Sequence, residues 1–321
     1  MTSLYVDRRG VEMRLDAGAI AFFENGERVG TVPSGPLERI YLRGDVRLSS
    51  GLLGRLGQLG IGVIILSGRQ GQPSLFLPRE HNDPAIRVAQ ARLHLDDQRS
   101  LDIARWLVRG KLKAQLALLD DWRSAKPTSS LVFRHVQDAV KVMLTHINAK
   151  PDITALRGLE DAAAAQHFKA MAEVVPESLN FSGRNRRPPR DPVNAVLSLS
   201  YTMLMAEAAL AAHGHGFDPA IGFFHSLDFG RPSLACDLAE PLRPVMDRFA
   251  WRLFAEQTLR ARDFSLEKDG ACLLMKAGRE RFYAEVETPL LEARQRLNAM
   301  LKAMRTLVLE SAHVATLPDH L

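Results

Sequence analysis

The sequence predicts an α+β protein, with a small N-terminal β domain over residues 1–80 and a larger all-α domain over residues 84–321. Three observations point there. Before residue 80, apolar residues come in short alternating or continuous stretches broken by Gly, Pro and charged turns, the period of strands. After residue 84 they recur at spacings of three and four, the period of helices. The two textures follow one another instead of alternating, which argues against a doubly wound sheet.

Strands are expected at Ser3–Val6, Val11–Leu15, Ala19–Phe23, Val29–Val32, Arg39–Leu42 and Asp45–Leu48. Asn25-Gly26 suits a type I′ hairpin, because both central positions need positive φ. Ser49-Ser50 can cap a short helix running to Leu59, and Ile61–Leu66 reads as a buried strand, with Leu75–Leu77 as another. Asp83-Pro84 then looks like a helix start, a capping carboxylate followed by a proline at the first helical position. Helical periodicity covers Ile86–Arg99, Ser100–Trp122 and Leu131–Ala149, and a second Asp-Pro start at Asp191-Pro192 opens a helix to about Ala212. A further run spans Ser233–Arg262. Asp269-Gly270 suggests a small hairpin, and a last helix extends from about Glu285 to Leu309.

Composition bounds the function. Lys and Arg total 42 against 37 acidic residues, a net charge of +5, which permits nucleic-acid binding without showing it. Two cysteines, Cys236 and Cys272, make neither a disulfide framework nor a zinc site. The N-terminus lacks the apolar core of a signal peptide, and no apolar run approaches the ~20 residues of a membrane span. The expectation is a cytoplasmic protein with no membrane partner.

Four stretches can carry chemistry. Glu160, in Gly158-Leu159-Glu160-Asp161 ahead of an Ala-rich run, is either a first-turn Glu answering the helix dipole or a ligand where a neighbour can come close. His225, closing Gly222-Phe223-Phe224-His225, is either a metal ligand or a buried, satisfied imidazole. Asp237 and Glu240 lie three apart and share a helix face; Arg243 is three further on, so an intrahelical ion pair competes with a metal role for Glu240. Carboxylates with one imidazole suit Mg²⁺ or Mn²⁺. The fourth stretch, Gly183 to Arg190, holds Arg184, Arg186, Arg187 and Arg190 in a Pro-rich loop. Guanidinium forks bind phosphate, and proline lowers the cost of ordering the loop on a ligand.

The order of these stretches resembles the CRISPR-associated integrase family (the "Cas one" family). Gly158-Leu159-Glu160 resembles its first metal motif. Arg184 to Asp191, with Asn194 to Leu197 and Tyr201, resembles its Arg/Pro-rich loop and following helix. Gly222 to His225 resembles its Gly-Phe-x-His motif, and Gly230 to Pro244 its final metal motif. Weaker echoes lie at Arg87, Gln90, Ile103 to Arg105, Gly110-Lys111 and Gln115. Two positions depart from the family: Asp161 stands where Gly is common, and His167 where Tyr is common.

The resemblance implies a β domain that mediates homodimerisation and a helical catalytic domain. It implies Glu160, His225 and Glu240 as catalytic metal ligands for Mg²⁺ or Mn²⁺, with Asp237 either coordinating or standing behind them. The four arginines are the candidates for DNA-backbone contact. The implied activity is that of a DNA endonuclease and integrase. A 3′-hydroxyl of a short duplex, the prespacer, attacks a phosphodiester at the border of a CRISPR repeat. The implied partners are double-stranded DNA, a second copy of the chain, and a small "Cas two" family protein completing a heterohexamer. Two other readings fit the same residues: a stand-alone metal-dependent nuclease for branched DNA, and a catalytically silent DNA-binding scaffold.

Overall fold

A computed structural model describes residues 3–66, 73–78, 83–185 and 188–312. The chain divides into two compact units, Met1–Asp83 and Pro84–Leu321. The strand region followed by a mostly helical region bears out the α+β class.

The first unit holds β1 (Ser3–Asp7), β2 (Val11–Asp16), β3 (Ala19–Glu24), β4 (Glu27–Pro33), β5 (Arg39–Arg43), β6 (Val46–Leu48), α1 (Ser50–Gln58), β7 (Gly62–Ile65) and β8 (Ser74–Phe76). They form two four-stranded sheets, ordered β1-β5-β7-β8 and β4-β3-β2-β6. In the first, β1, β5 and β7 run parallel and β8 antiparallel. In the second, two antiparallel hairpins are closed by a parallel β6. The Asn25-Gly26 turn has φ of 51° and 87°, the positive pair a type I′ hairpin demands. The hairpin between β2 and β3 uses Ala17-Gly18 at φ 48° and 81°, a turn the sequence did not advertise. Ser49 caps α1 by accepting from the Leu52 amide at 3.2 Å, satisfying one of the helix's unbonded donors. Leu52 and Leu56 of α1 pack on Val11, Met13, Ile40 and Val63 to make this unit's core.

The second unit contains α2 (Ala85–Leu95), α3 (Asp97–Ala125), α4 (Ser130–His146), α5 (Ile153–Val174), α6 (Pro192–Gly214), α7 (Ser233–Ala239), α8 (Arg243–Ala255), a hairpin of β9 (Phe264–Leu266) and β10 (Cys272–Leu274), and α9 (Lys276–Ala312). Four expectations are corrected. The first helical run breaks at Asp96, whose carboxylate accepts from the Arg99 amide at 3.0 Å and starts α3; the apolar period runs through the break and hides it. At the start of α2 the cap position is Pro84, with no side-chain capping bond. The run from Ser233 is divided by a 3₁₀ turn, Glu240–Leu242, with Pro241 at its second position. Finally, α6 is long and apolar enough to cross a membrane, against the expectation that no run approaches that length. However, 72% of its most apolar window is buried in the structure, so its apolarity serves the core. Asp191 opens α6 by accepting from the Asn194 amide at 2.8 Å.

Candidate active site

Glu160 lies on α5, which starts at Ile153 with Asp152 as its cap. It is therefore two turns inside the helix and not in the first turn, which removes the dipole reading. Helices α3 and α5 pack against one another, with Ala163 buried and Ala164 on the cavity wall. Lys111 interrupts the apolar face of α3 between Val108 and Leu112, and its ammonium bonds Glu160 from α5 and Glu240 from the 3₁₀ turn, the latter at 2.5 Å. All three side chains are buried. Pro241 supplies no amide to continue α7, so the chain tightens there and sets Glu240 against α3. Gly110 makes room, since a Cβ in its place would stand 3.3 Å from Pro241 Cβ.

Asp237 is fully buried, and four donors fill its oxygens. Oδ2 accepts from the amides of Phe223 at 2.6 Å and Phe224 at 2.9 Å; Oδ1 lies 2.9 Å from the His225 amide and 2.7 Å from its Nδ1. This carboxylate shapes the loop and turns the His225 ring so that Nε2 faces Glu240 Oε1 at 3.8 Å. Arg157 steadies the same loop, donating from Nε to the Phe224 carbonyl at 3.0 Å.

Gly222 has to be glycine: a Cβ there would lie 2.7 Å from both Asp237 Oδ2 and the Ser233 backbone. Gly222→Ala should therefore cost about 1–3 kcal/mol of stability, the usual penalty of overpacking. It should also disturb His225 beyond that loss. The checks are a thermal melt and the strand-joining assay described below.

Arg243 pairs with Glu240 Oε1 at 2.9 Å and lies over the Tyr201 ring at 4.9 Å. The ion pair foreseen for Glu240 thus exists, across the step from the 3₁₀ turn to α8 and alongside its contact with Lys111. Tyr201 donates to Asp247 Oδ1, and His167 Nε2 sits 2.9 Å from Asp247 Oδ2. Lys111, Glu160, His167, His225, Glu240 and Arg243 all face one cavity of about 150 Å³, and Asp161 lies exposed at its edge.

Burial alone would lower the Lys111 pKa, but Glu240 and Glu160 outweigh it and hold the ammonium above its ordinary value. Burial would raise the Glu240 carboxyl, but Arg243 and Lys111 pull it down to about 2. Burial, then the Asp247 charge, pushes the Tyr201 hydroxyl well above its usual range. Burial pushes the Cys236 thiol up to about 11, which leaves it protonated and a poor nucleophile.

Among the described residues, no three His, Cys, Asp or Glu side chains form a ready-made metal cage. The donor set still fits Mg²⁺ or Mn²⁺. Two buried carboxylates on separate elements already share a cation, the Lys111 ammonium, and an oriented imidazole stands beside them. Hard, oxygen-preferring dications take this set of ligands.

A model of the family described as CRISPR associated protein Cas1 matches residues 4–288. The chain belongs to the Cas1 family. The CRISPR-associated endonuclease Cas1 1 of Thermodesulfovibrio yellowstonii is 36% identical over 285 residues, 88% of this chain and 89% of that protein. Two solved structures share the fold. A casposase bound to integration product has a TM-score of 0.84 at 21% identity, covering all of this chain and 95% of the other. A Cas6-RT-Cas1–Cas2 complex has a TM-score of 0.80 at 20% identity, covering all of this chain and 36% of the other. The resemblance read from the motifs is borne out.

In this Cas1-family chain the Arg loop divides in its roles. Arg184 is half-buried and holds the loop to α6, donating to Asn194 Oδ1 at 2.8 Å and Ser198 Oγ at 3.1 Å. Arg190 is exposed. Arg186 and Arg187 lie outside the described residues. Lys111, Arg157 and Asp247 had no assigned role in the sequence reading. Lys111 and Gln115, two polar residues four apart on an otherwise apolar face of α3, were the signal that could have marked the cavity wall.

Proposed function

We propose that this chain is a metal-dependent DNA integrase and endonuclease of CRISPR spacer acquisition, acting in the cytoplasm of a prokaryote with Mg²⁺ or Mn²⁺ held by Glu160, His225 and Glu240. The observation that carries the reading is the His225 ring, tied through Nδ1 to Asp237 and aimed through Nε2 at Glu240. Metal-binding histidines are typically fixed in this way by a carboxylate on the other ring nitrogen. Asp237 is then the residue that orients His225, its own oxygens being occupied.

When bound, the dication supplies a Lewis acid that polarises the scissile phosphate and stabilises the charge gathering on it. The protein's part is position and charge. Arg243, clamped between Glu240 and Tyr201, keeps a guanidinium at the cavity wall for a phosphate oxygen. In the reaction a 3′-oxygen forms a P–O bond, the repeat strand's 3′-oxygen leaves, and the proton lost by one is gained by the other. The bonds made and broken are alike, so the rate depends on alignment and charge stabilisation.

The proposed partners are prespacer and repeat duplex, a second copy of the chain through its N-terminal unit, and a Cas2 protein in a heterohexamer. The fold shared with a Cas1–Cas2 complex supports the Cas2 partner. Exposed Arg190, with Arg186 and Arg187, makes the DNA-backbone contacts. Arg190→Ala should weaken duplex binding equally for all sequences and lower the salt slope of log affinity by about one. Fluorescence anisotropy across a salt series measures this.

The deciding experiment incubates the protein and Mn²⁺ with a labelled branched DNA that mimics a half-integrated product. A resealed strand establishes strand transfer. Cleavage without resealing favours a stand-alone nuclease, and binding without any product favours a silent scaffold.

A further inference from the structure

The cation already bridging Glu160 and Glu240 belongs to the protein. Lys111 Nζ contacts Glu160 Oε1 and Glu240 Oε2 together, from a wall of the same cavity. Those two oxygens belong to the residues assigned above to the metal. A divalent ion that takes these oxygens coordinates them directly, at about 2.0–2.1 Å for Mg²⁺, which leaves no room for an ammonium on the same atoms. Two positive charges packed side by side between the same carboxylates also repel. Glu240 turns Oε1 towards His225 and Oε2 towards Lys111, so the ion and the lysine compete for the same pair of carboxylates.

Geometry gives the lysine a way out. Its charge sits at the end of a four-carbon stem with several rotatable bonds, and the cavity opens beside it. Nothing comparable frees Asp237, which four donors hold, or Arg243, which is stacked on Tyr201.

We propose that Lys111 is a resident counter-ion that holds the site closed in the metal-free protein, and that the divalent ion enters by exchange with it. Glu160 and Glu240 pass from the ammonium to the metal, and Lys111 swings into the cavity. The lysine thus keeps two buried carboxylates paired before metal arrives and lowers the apparent metal affinity by competing for them. Lys111 is a positioning residue in this scheme, and the inference rests on the metal assignment made above.

The test titrates Mn²⁺ into the full chain without DNA. Bound ion is followed by loss of the free Mn²⁺ electron-spin resonance signal, and the thermal midpoint is followed in parallel. Wild type is compared with Lys111→Met and Lys111→Gln. Both variants should melt lower than wild type without metal, and both should bind Mn²⁺ at least about tenfold tighter, the scale of a coupling between competing ligands. Mn²⁺ should restore their midpoints.

Unchanged or weaker Mn²⁺ binding in both variants overturns the exchange. So does a pair of variants that stays unfolded when Mn²⁺ is present, since that makes Lys111 necessary to the metal-bound protein too. His225→Ala separates the two levels. If it binds Mn²⁺ as wild type does, or if no protein in the set binds Mn²⁺, the metal assignment itself fails. If His225→Ala loses Mn²⁺ while Lys111→Met binds as wild type, only the exchange fails.

Discussion

His225→Ala should leave a folded protein that still binds DNA and joins none of it. The side chain is 26% exposed, and its removal takes one donor from Asp237 while three backbone amides remain. The loop therefore keeps most of its frame, and the stability loss should be about 1 kcal/mol, the centre of the usual range for single substitutions. The chemical loss is of another order. Without the imidazole one of the three proposed ligands is gone, leaving two carboxylates that already have Lys111 and Arg243 to satisfy them. Resealing of the branched substrate with Mn²⁺ should fall at least about 10³-fold, the scale of losing a preorganised group at a developing charge. Gel analysis of the labelled strand reads the activity, with anisotropy and circular dichroism on the same preparation. Loss of DNA binding and fold together with activity would make His225 part of the framework instead.

A second large effect is expected at residues that do not line the cavity. Arg294 on α9 donates to Glu207 on α6 at 2.8 Å and to Glu287 at 3.1 Å. Glu207 is fully buried and Arg294 nearly so. Arg294→Met removes the cation bridging both carboxylates, and breaking a buried pair from one side typically costs about 3–5 kcal/mol. The double variant Arg294→Met/Glu207→Leu removes the two buried charges, leaving only the part-exposed Glu287, and should recover most of that loss, because a well-packed apolar pair commonly equals a buried ionic one. Urea midpoints of the two variants and wild type decide it. A single variant within about 1 kcal/mol of wild type would show that the bridge contributes little.

Local signals were legible where one short segment settles its own structure. Asn25-Gly26 announced its hairpin, Ser49 its cap, and Asp191-Pro192 the start of α6. The change from period two to a helical period marked where strands give way to helices. Asp96 was hidden because a cap in the middle of an unbroken apolar rhythm leaves no mark on that rhythm. Glu160 was read as a first-turn residue because its Ala-rich neighbourhood looks like a beginning, whereas Asp152 starts the helix eight residues earlier. The site motifs were recognisable, but not who faces whom. Lys111 meets Glu160 across 49 positions and Glu240 across 129, and no periodicity within one helix reports such a meeting. The part of Asp237 was also out of reach, since most of its partners are backbone amides of a loop more than ten residues away.

The spacing of Asp237 and Glu240 has a consequence of its own. One grips His225 from behind and the other meets it from the front, and they are a single turn apart. Three residues of helix rise about 4.5 Å, so the loop carrying the imidazole takes its dimension from a helical pitch, a ruler far stiffer than the loop. One residue inserted between them would swing Glu240 by about 100° around the axis, leaving His225 gripped but aimed at nothing. Insertions elsewhere in that loop, around Leu227 to Gly230, leave the ruler untouched. The tolerance of this site to change in length is thus set by which side of the turn the change falls on.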